Sequence, residues 1–169
     1  MNTQSNSTLH KVAEQIANNS TGWVGEVPGN KEHVIMGQTF IARDEGDLHA
    51  IKIFSNMVGK TGQLSITLQQ FDLPTESWGQ VLGAATVQLR NTDAGNWLSF
   101  NLPGTHLYKG QSYGFRLDTV DAYLGIGEAC SSSKQPAFEA GKEWQFTNKN
   151  PSGNSFSYIS LAFKVEVAA

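Results

Sequence analysis

From Val34 onward the chain alternates apolar and polar residues with a period of two. Leu64, Ile66 and Leu68 are separated by Ser65 and Thr67, and Leu98, Phe100 and Leu102 by Ser99 and Asn101. Tyr113, Phe115 and Leu117 interleave with Gly114 and Arg116, and Leu161, Phe163, Val165 and Val167 with Ala162, Lys164 and Glu166. Successive side chains of an extended chain point to opposite faces. Each run therefore predicts a strand with one buried and one solvated face, the pattern of antiparallel sheets. Over 48–54 the phase slips, because Leu48 does not share parity with Ile51 and Ile53; a β-bulge near His49–Ala50 restores the buried face. Turn clusters at 44–47, 59–62, 73–79, 91–96, 103–104, 109–110 and 148–154 punctuate the runs. Many short, evenly spaced strands predict an all-β antiparallel sandwich of about nine strands rather than βαβ units.

The start of the chain follows another period. Leu9, Val12, Ala13 and Ile16 fall at i, i+3, i+4 and i+7, which predicts one short N-terminal helix with Ser7 or Thr8 as cap and Asn18–Asn19 as stop. A turn-rich stretch over 22–31, holding Gly25, Pro28 and Gly29, comes next. The expected organisation is a helix and lead-in over 1–33 and a β-sandwich over 34–169, folding as a single domain.

The order of these signals carries a resemblance. Gly37-Gln38-Thr39-Phe40-Ile41-Ala42, then Gly46-Asp47-Leu48 and Ile51-Lys52-Ile53, then Gly62-Gln63-Leu64-Ser65-Ile66 resemble the opening strands of galactose-binding-like jelly-roll modules. Asn96-Trp97-Leu98-Ser99-Phe100 and the stretch from Tyr108 to Phe115 look like the middle of such modules, and Leu161 to Val165 like their last strand. The resemblance implies a jelly-roll fold and a non-catalytic module that binds carbohydrate or glycoprotein, often beside a structural calcium. It is a pattern of strands and turns, so it speaks to fold before function.

Composition narrows the classes. With 12 basic and 15 acidic residues the net charge is −3, which argues against a broad electrostatic grip on nucleic acid or anionic lipid. No stretch approaches the roughly 20 apolar residues of a membrane-spanning helix, so membrane insertion is not expected. The single cysteine, Cys130, allows no intramolecular disulfide and has no basic neighbour to activate it. Met1–Ser7 is polar with no apolar signal core, the pattern of a cytoplasmic chain unless it is a trimmed secreted domain. Asn6, Asn18 and Asn19 each open an N-x-Ser/Thr triplet in a segment rich in those residues.

Catalytic and phosphate motifs break off early. Glu45-Gly46-Asp47 starts the E-x-D-x-x-E of sandwich glucanases, but Ala50 replaces the second glutamate. Glu128, Glu139 and Glu143 lack diagnostic spacing and read as surface acids. Gly59-Lys60-Thr61 matches the tail of a P-loop whose first glycine position holds Phe54. An enzyme is not expected, and no cofactor is required. His10, His33, His49 and His106 show no zinc spacing, while Asp44 and Asp47, at strand ends, are candidate oxygen ligands for calcium.

Aromatic residues are the more useful signal, because a sugar presents C–H groups to a ring face and hydroxyls to paired donors and acceptors. If successive strands run antiparallel, the loops at 44–47, 72–79, 103–109 and 129–140 gather at one end. That end would hold Asp44, Asp72, Glu76, Trp78, His106 and Tyr108. The expected ligand site is Trp78 as stacking platform, with Asp72, His106 and Glu76 bonding hydroxyls. Tyr123 and Trp144 form a second platform on an outer face. The expected partner is a saccharide or glycoprotein. The alternative is a protein–protein interaction or structural module that self-associates through exposed aromatics such as Trp97 and through sheet edges.

Overall fold

The computed structural model describes residues 8–29, 31–132 and 134–168, so the Asn6 triplet and the cap position Ser7 lie outside it. In chain order the strands are β1 (Leu9–Gln15), β2 (Ser20–Glu26), β3 (His33–Ile41), β4 (Gly46–Lys60), β5 (Gly62–Asp72), β6 (Ser77–Leu89) and β7 (Asn96–Asn101). They continue with β8 (His106–Leu107), β9 (Ser112–Thr119), β10 (Tyr123–Cys130), β11 (Glu143–Thr147), β12 (Asn154–Phe156), β13 (Ile159–Leu161) and β14 (Phe163–Ala168). All fourteen join one antiparallel sheet, along the path β1-β14-β4-β10-β2-β3-β9-β5-β6, with the shorter strands attached to β3, β4 and β10. The described residues contain no α-helix, only a 3₁₀ turn at Asn91–Asp93.

The predicted helix is therefore a strand. β1 pairs with β14 from Leu9↔Ala168 to Gln15↔Phe163, and the register shifts between Lys11 and Ala13. Val12 is the extra residue, which turns both Val12 and Ala13 into the core while Leu9 and Ile16 stay exposed. Two adjacent buried positions made by a bulge imitate the i+3, i+4 pair of a helical stripe. A lone helix of this length is marginal in water, whereas the edge of β14 offers a row of unpaired N–H and C=O groups, so the ladder wins. The expected lead-in likewise contains β2, which pairs with β10 from Ser20↔Glu128 to Gly25↔Tyr123.

Three of the four alternating runs form the expected strands, whereas the fourth is divided at buried Ala162 into β13 and β14; the in-phase apolar residues of all four are buried. The bulge foreseen in β4 is at His49: Val167 faces Leu48 and Glu166 faces Ala50, leaving His49 over.

The expected sandwich of about nine strands becomes a single sheet that splits into two leaves. β4 and β10 pair only through Ser55–Lys60 and Tyr123–Ile126. Beyond that seam β10 turns to β13, with Glu128 opposite Leu161, while β4 pairs with β14, with Ile53 opposite Phe163. The chain reverses between them at Ala162, whose N–H donates to the Gly127 carbonyl (2.7 Å) and whose carbonyl accepts from Phe54 N–H (3.3 Å). The leaves face each other across the core. Phe163 of β14 lies 6.2 Å from Phe40 of β3 and 5.6 Å from Phe115 of β9, ring centre to ring centre.

Candidate binding site

Of the predicted residues the structure brings Asp72 and Tyr108 to one cleft, with His106 packed against Tyr108, while Glu76 and Asp44 line other pockets. β8 pairs with the start of β4, Asp47 opposite His106. The His106 imidazole sits 2.8 Å from Asp47 through Nδ1 and 3.3 Å from Glu45 through Nε2. Its edge packs on Tyr108, ring centres 4.7 Å apart. Tyr108 is tied at the backbone, its N–H donating to the Tyr113 hydroxyl at 2.9 Å, yet its side chain is 58% exposed. Opposite, the β5–β6 hairpin supplies Gln70 and Asp72; Asp72 accepts a hydrogen bond from the Thr75 hydroxyl at 2.8 Å. Between them lies a cleft of about 510 Å³ lined by Gln70, Asp72, Gly79, Tyr108, Gln111 and Tyr113. Glu76 stands at the hairpin tip in a left-handed conformation (φ 51°), its carboxylate 2.7 Å from Lys142 Nζ.

The hydrogen bonds to Asp47 and then Glu45 raise the His106 pKa above its ordinary 6.5. The folded state thus holds this proton more tightly than the unfolded chain. Stability from the pairing is complete below the ordinary value and is lost as pH rises through the raised one. Thermal melts from about pH 5 to about pH 9 are expected to show a decline on the alkaline side of the histidine range that His106→Gln removes. An identical slope in the variant refutes the pairing.

Two expected platforms are placed differently. Trp78 lies in β6, opposite Phe71, not in the preceding turn. Its indole covers Gly37 and Gly114, where an added Cβ on Gly114 would come 2.5 Å from the ring. There it meets Phe71, Trp144 and Phe146 edge to face, at 5.5, 5.8 and 5.6 Å. Trp144, in β11, is 7% exposed and belongs to the same outer-face cluster. The residue that offers an open ring in the cleft is Tyr108.

Tyr123 keeps its outward position but lies at the other end of β4, opposite Lys60. It stacks on Trp23 of β2 (4.8 Å, 11° between planes), and Gly59 makes room beneath its ring. Trp23 is a partner the alternation could have supplied, since it is out of phase with buried Val24. Asp44 and Asp47 do not converge on a common point. Asp44 is 3.2 Å from His10, Asp47 is committed to His106, and the described residues contain no group of three His, Cys, Asp or Glu side chains that could hold a metal ion.

Glu128 and Glu143, expected on the surface, are in fact buried together, 6% and 1% exposed. Glu143 of β11 hydrogen-bonds Glu128 of β10, which also accepts from the Ser20 hydroxyl at 2.9 Å. Burial first, and the hydrogen bond to Glu128 second, raise the Glu143 pKa to about 10. At neutral pH the Glu143 carboxyl therefore keeps its proton beside Glu128.

No protein-family model matches this chain, and no curated protein sequence does. Solved structures match. One is a clostridial cysteine protease, Cwp84, after propeptide cleavage: TM-score 0.53 and 12% identity, covering 96% of this chain and 40% of that one. The likeness is one of fold. A second is a structure of the cysteine protease and lectin-like domains of Cwp84, a surface layer associated protein of Clostridium difficile. It aligns with TM-score 0.47 and 12% identity over 80% of this chain and 32% of that one. The chain thus spans about two fifths of the first of these proteins.

Proposed function

We propose that the chain is a non-catalytic, lectin-like carbohydrate-binding module whose saccharide lies in the cleft on Tyr108. One observation carries this reading: an exposed phenol braced from behind by a doubly held histidine, next to a carboxylate and two amide side chains. A ring face for sugar C–H groups and mixed donors and acceptors for hydroxyls are what a small-ligand site requires. The reading is non-catalytic because Glu128 and Glu143 are sealed in the interior and the exposed carboxylates of Glu45 and Asp47 are both engaged by His106 rather than standing on either side of a cleft.

Calorimetric titration with a panel of neutral saccharides, with and without calcium, tests the proposal. Tyr108→Ala is expected to weaken binding about tenfold, the loss of one aromatic contact of about 1.4 kcal/mol. Tyr123→Ala, at the far end of β4, is expected to leave affinity unchanged. No heat with any saccharide in either condition overturns the proposal.

A protein-association role is favoured by a separate feature. β6 ends the sheet path, pairs among the described residues only with β5 and carries exposed Val81. Such an edge can accept another strand. Trp97, the aromatic expected to make such contacts, is covered by Phe54 and by the Lys164 ammonium 4.2 Å from its ring. A stable oligomer in light scattering, lost when Val81→Pro blocks the edge, supports this second reading.

A further inference from the structure

The aromatic cluster on the outer face contains donors without acceptors. Arg116 of β9 lays its guanidinium 4.0 Å from the centre of Phe146 and 4.5 Å from that of Trp78. Among the described residues its side chain makes no hydrogen bond or ion pair, and its Nε is buried without a partner. The indole N–H groups of Trp78 and Trp144, in the same cluster, are also buried without an acceptor. The next residue on this face of β9 does not supply one, since Asp118 is taken by His33 at 2.6 Å. Nor does Glu76, which is held by Lys142. Across the ladders Arg116 faces Gly37 on β3 and Thr67 on β5, neither of which brings a charge.

An arginine that serves only to cover aromatic rings ordinarily turns its N–H groups to a carboxylate, a carbonyl or water. Here Nε and the two indole N–H groups are closed off inside the cluster, so the part of Arg116 open to an incoming group is the outer edge of its guanidinium, which no carboxylate or carbonyl of the described residues meets. The missing complement is an anionic oxygen group, and a planar carboxylate matches the guanidinium fork with two parallel bonds. Phe71 connects this face to the cleft: it lines the cleft and packs edge to face on both Trp78 and Trp144. Gly79, the neighbour of Trp78, lines the cleft as well.

We propose that the Arg116 guanidinium, lying on the rings of Trp78 and Phe146, forms a subsite for the carboxylate of a uronate unit in a saccharide chain that continues from the Tyr108 cleft. The inference rests on the carbohydrate-binding reading and specifies its ligand as an acidic saccharide. Half-burial strengthens the contact, because a partly desolvated guanidinium gains more from a carboxylate than a fully hydrated one. Indole emission reports on it, since the guanidinium lies 4.5 Å from the centre of the Trp78 ring.

The test uses trigalacturonate and its methyl ester, which has the same shape without the charge. Calorimetry and tryptophan fluorescence are recorded on the full chain and on Arg116→Gln, Arg116→Lys and Tyr108→Ala. The acid is expected to bind at least about tenfold more tightly than the ester and to shift indole emission. Arg116→Gln is expected to abolish the difference between acid and ester. Arg116→Lys, which keeps the charge and is the safer variant for folding, is expected to retain only part of it, because the ammonium cannot form the fork. Equal affinity of acid and ester with retained dependence on Tyr108 overturns the acidic-ligand inference and leaves the carbohydrate-binding proposal standing. Undiminished acid preference in a folded Arg116→Gln also overturns the inference. Failure of both ligands and of every neutral saccharide overturns both.

Discussion

Glu143→Gln is expected to stabilise the protein at neutral and alkaline pH and to flatten its dependence on pH. In the unfolded chain this carboxyl ionises near 4.5, whereas in the fold it keeps its proton to about 10. Below the lower value both states are protonated and the group is neutral in effect. Between the two values the unfolded state releases a proton that the folded state retains, so stability falls steadily as pH rises. At pH 7 the accumulated loss is about 3 kcal/mol. The amide of Gln keeps an N–H donor for the Glu128 carboxylate and has nothing to ionise. Denaturant unfolding at several pH values should therefore show the variant gaining on the parent chain with every step upward. Parallel curves for the two chains would show that Glu128 and Glu143 do not share a proton.

The second large effect concerns the contact between the leaves. Phe163 is fully buried and meets Phe40, Phe115 and Phe138 across the core, the last at 5.2 Å. Phe163→Ala removes those contacts and leaves a cavity that surrounding strands, fixed by their ladders, cannot close. The expected cost is about 3–5 kcal/mol, read as a lower denaturant midpoint at unchanged slope. Lys164→Ala, one residue on and facing outward over Trp97, is expected to cost less than about 1 kcal/mol. Similar losses at the two positions would mean that β14 contributes through its backbone rather than by bridging the leaves.

What the sequence disclosed follows from where periodicity is strong. Runs such as Leu64–Leu68 and Leu161–Val167 announce their buried face, and the slip at Leu48 even located the bulge at His49. Strands of two or three residues, such as His106–Leu107 and Ile159–Leu161, are too short to show any period, so the strand number was underestimated. At Val12 a second bulge produced helical spacing in a strand. The site residues divide along the same line. Asp72 and Tyr108 came to one cleft because alternate loops share an end of an antiparallel sheet. Trp78 was misplaced because β6 begins one residue before it, at Ser77. Glu128 had a signal that went unused: it shares parity with buried Leu124 and Ile126, which marked it as an inward carboxyl. Its pairing with Glu143 depends on how β3, β10 and β11 meet in space, and no local pattern carries that information.

The pairing of β1 with β14 orders events in time. Leu9 is paired opposite Ala168, so the first strand of this domain to be made has its partner in the last. Throughout synthesis β1 and the facing edge of β4 must wait with open backbone groups, and Val12 stays in water. The domain can close only once the segment beyond Ala162 is available, so its folding is dominated by long-range contacts.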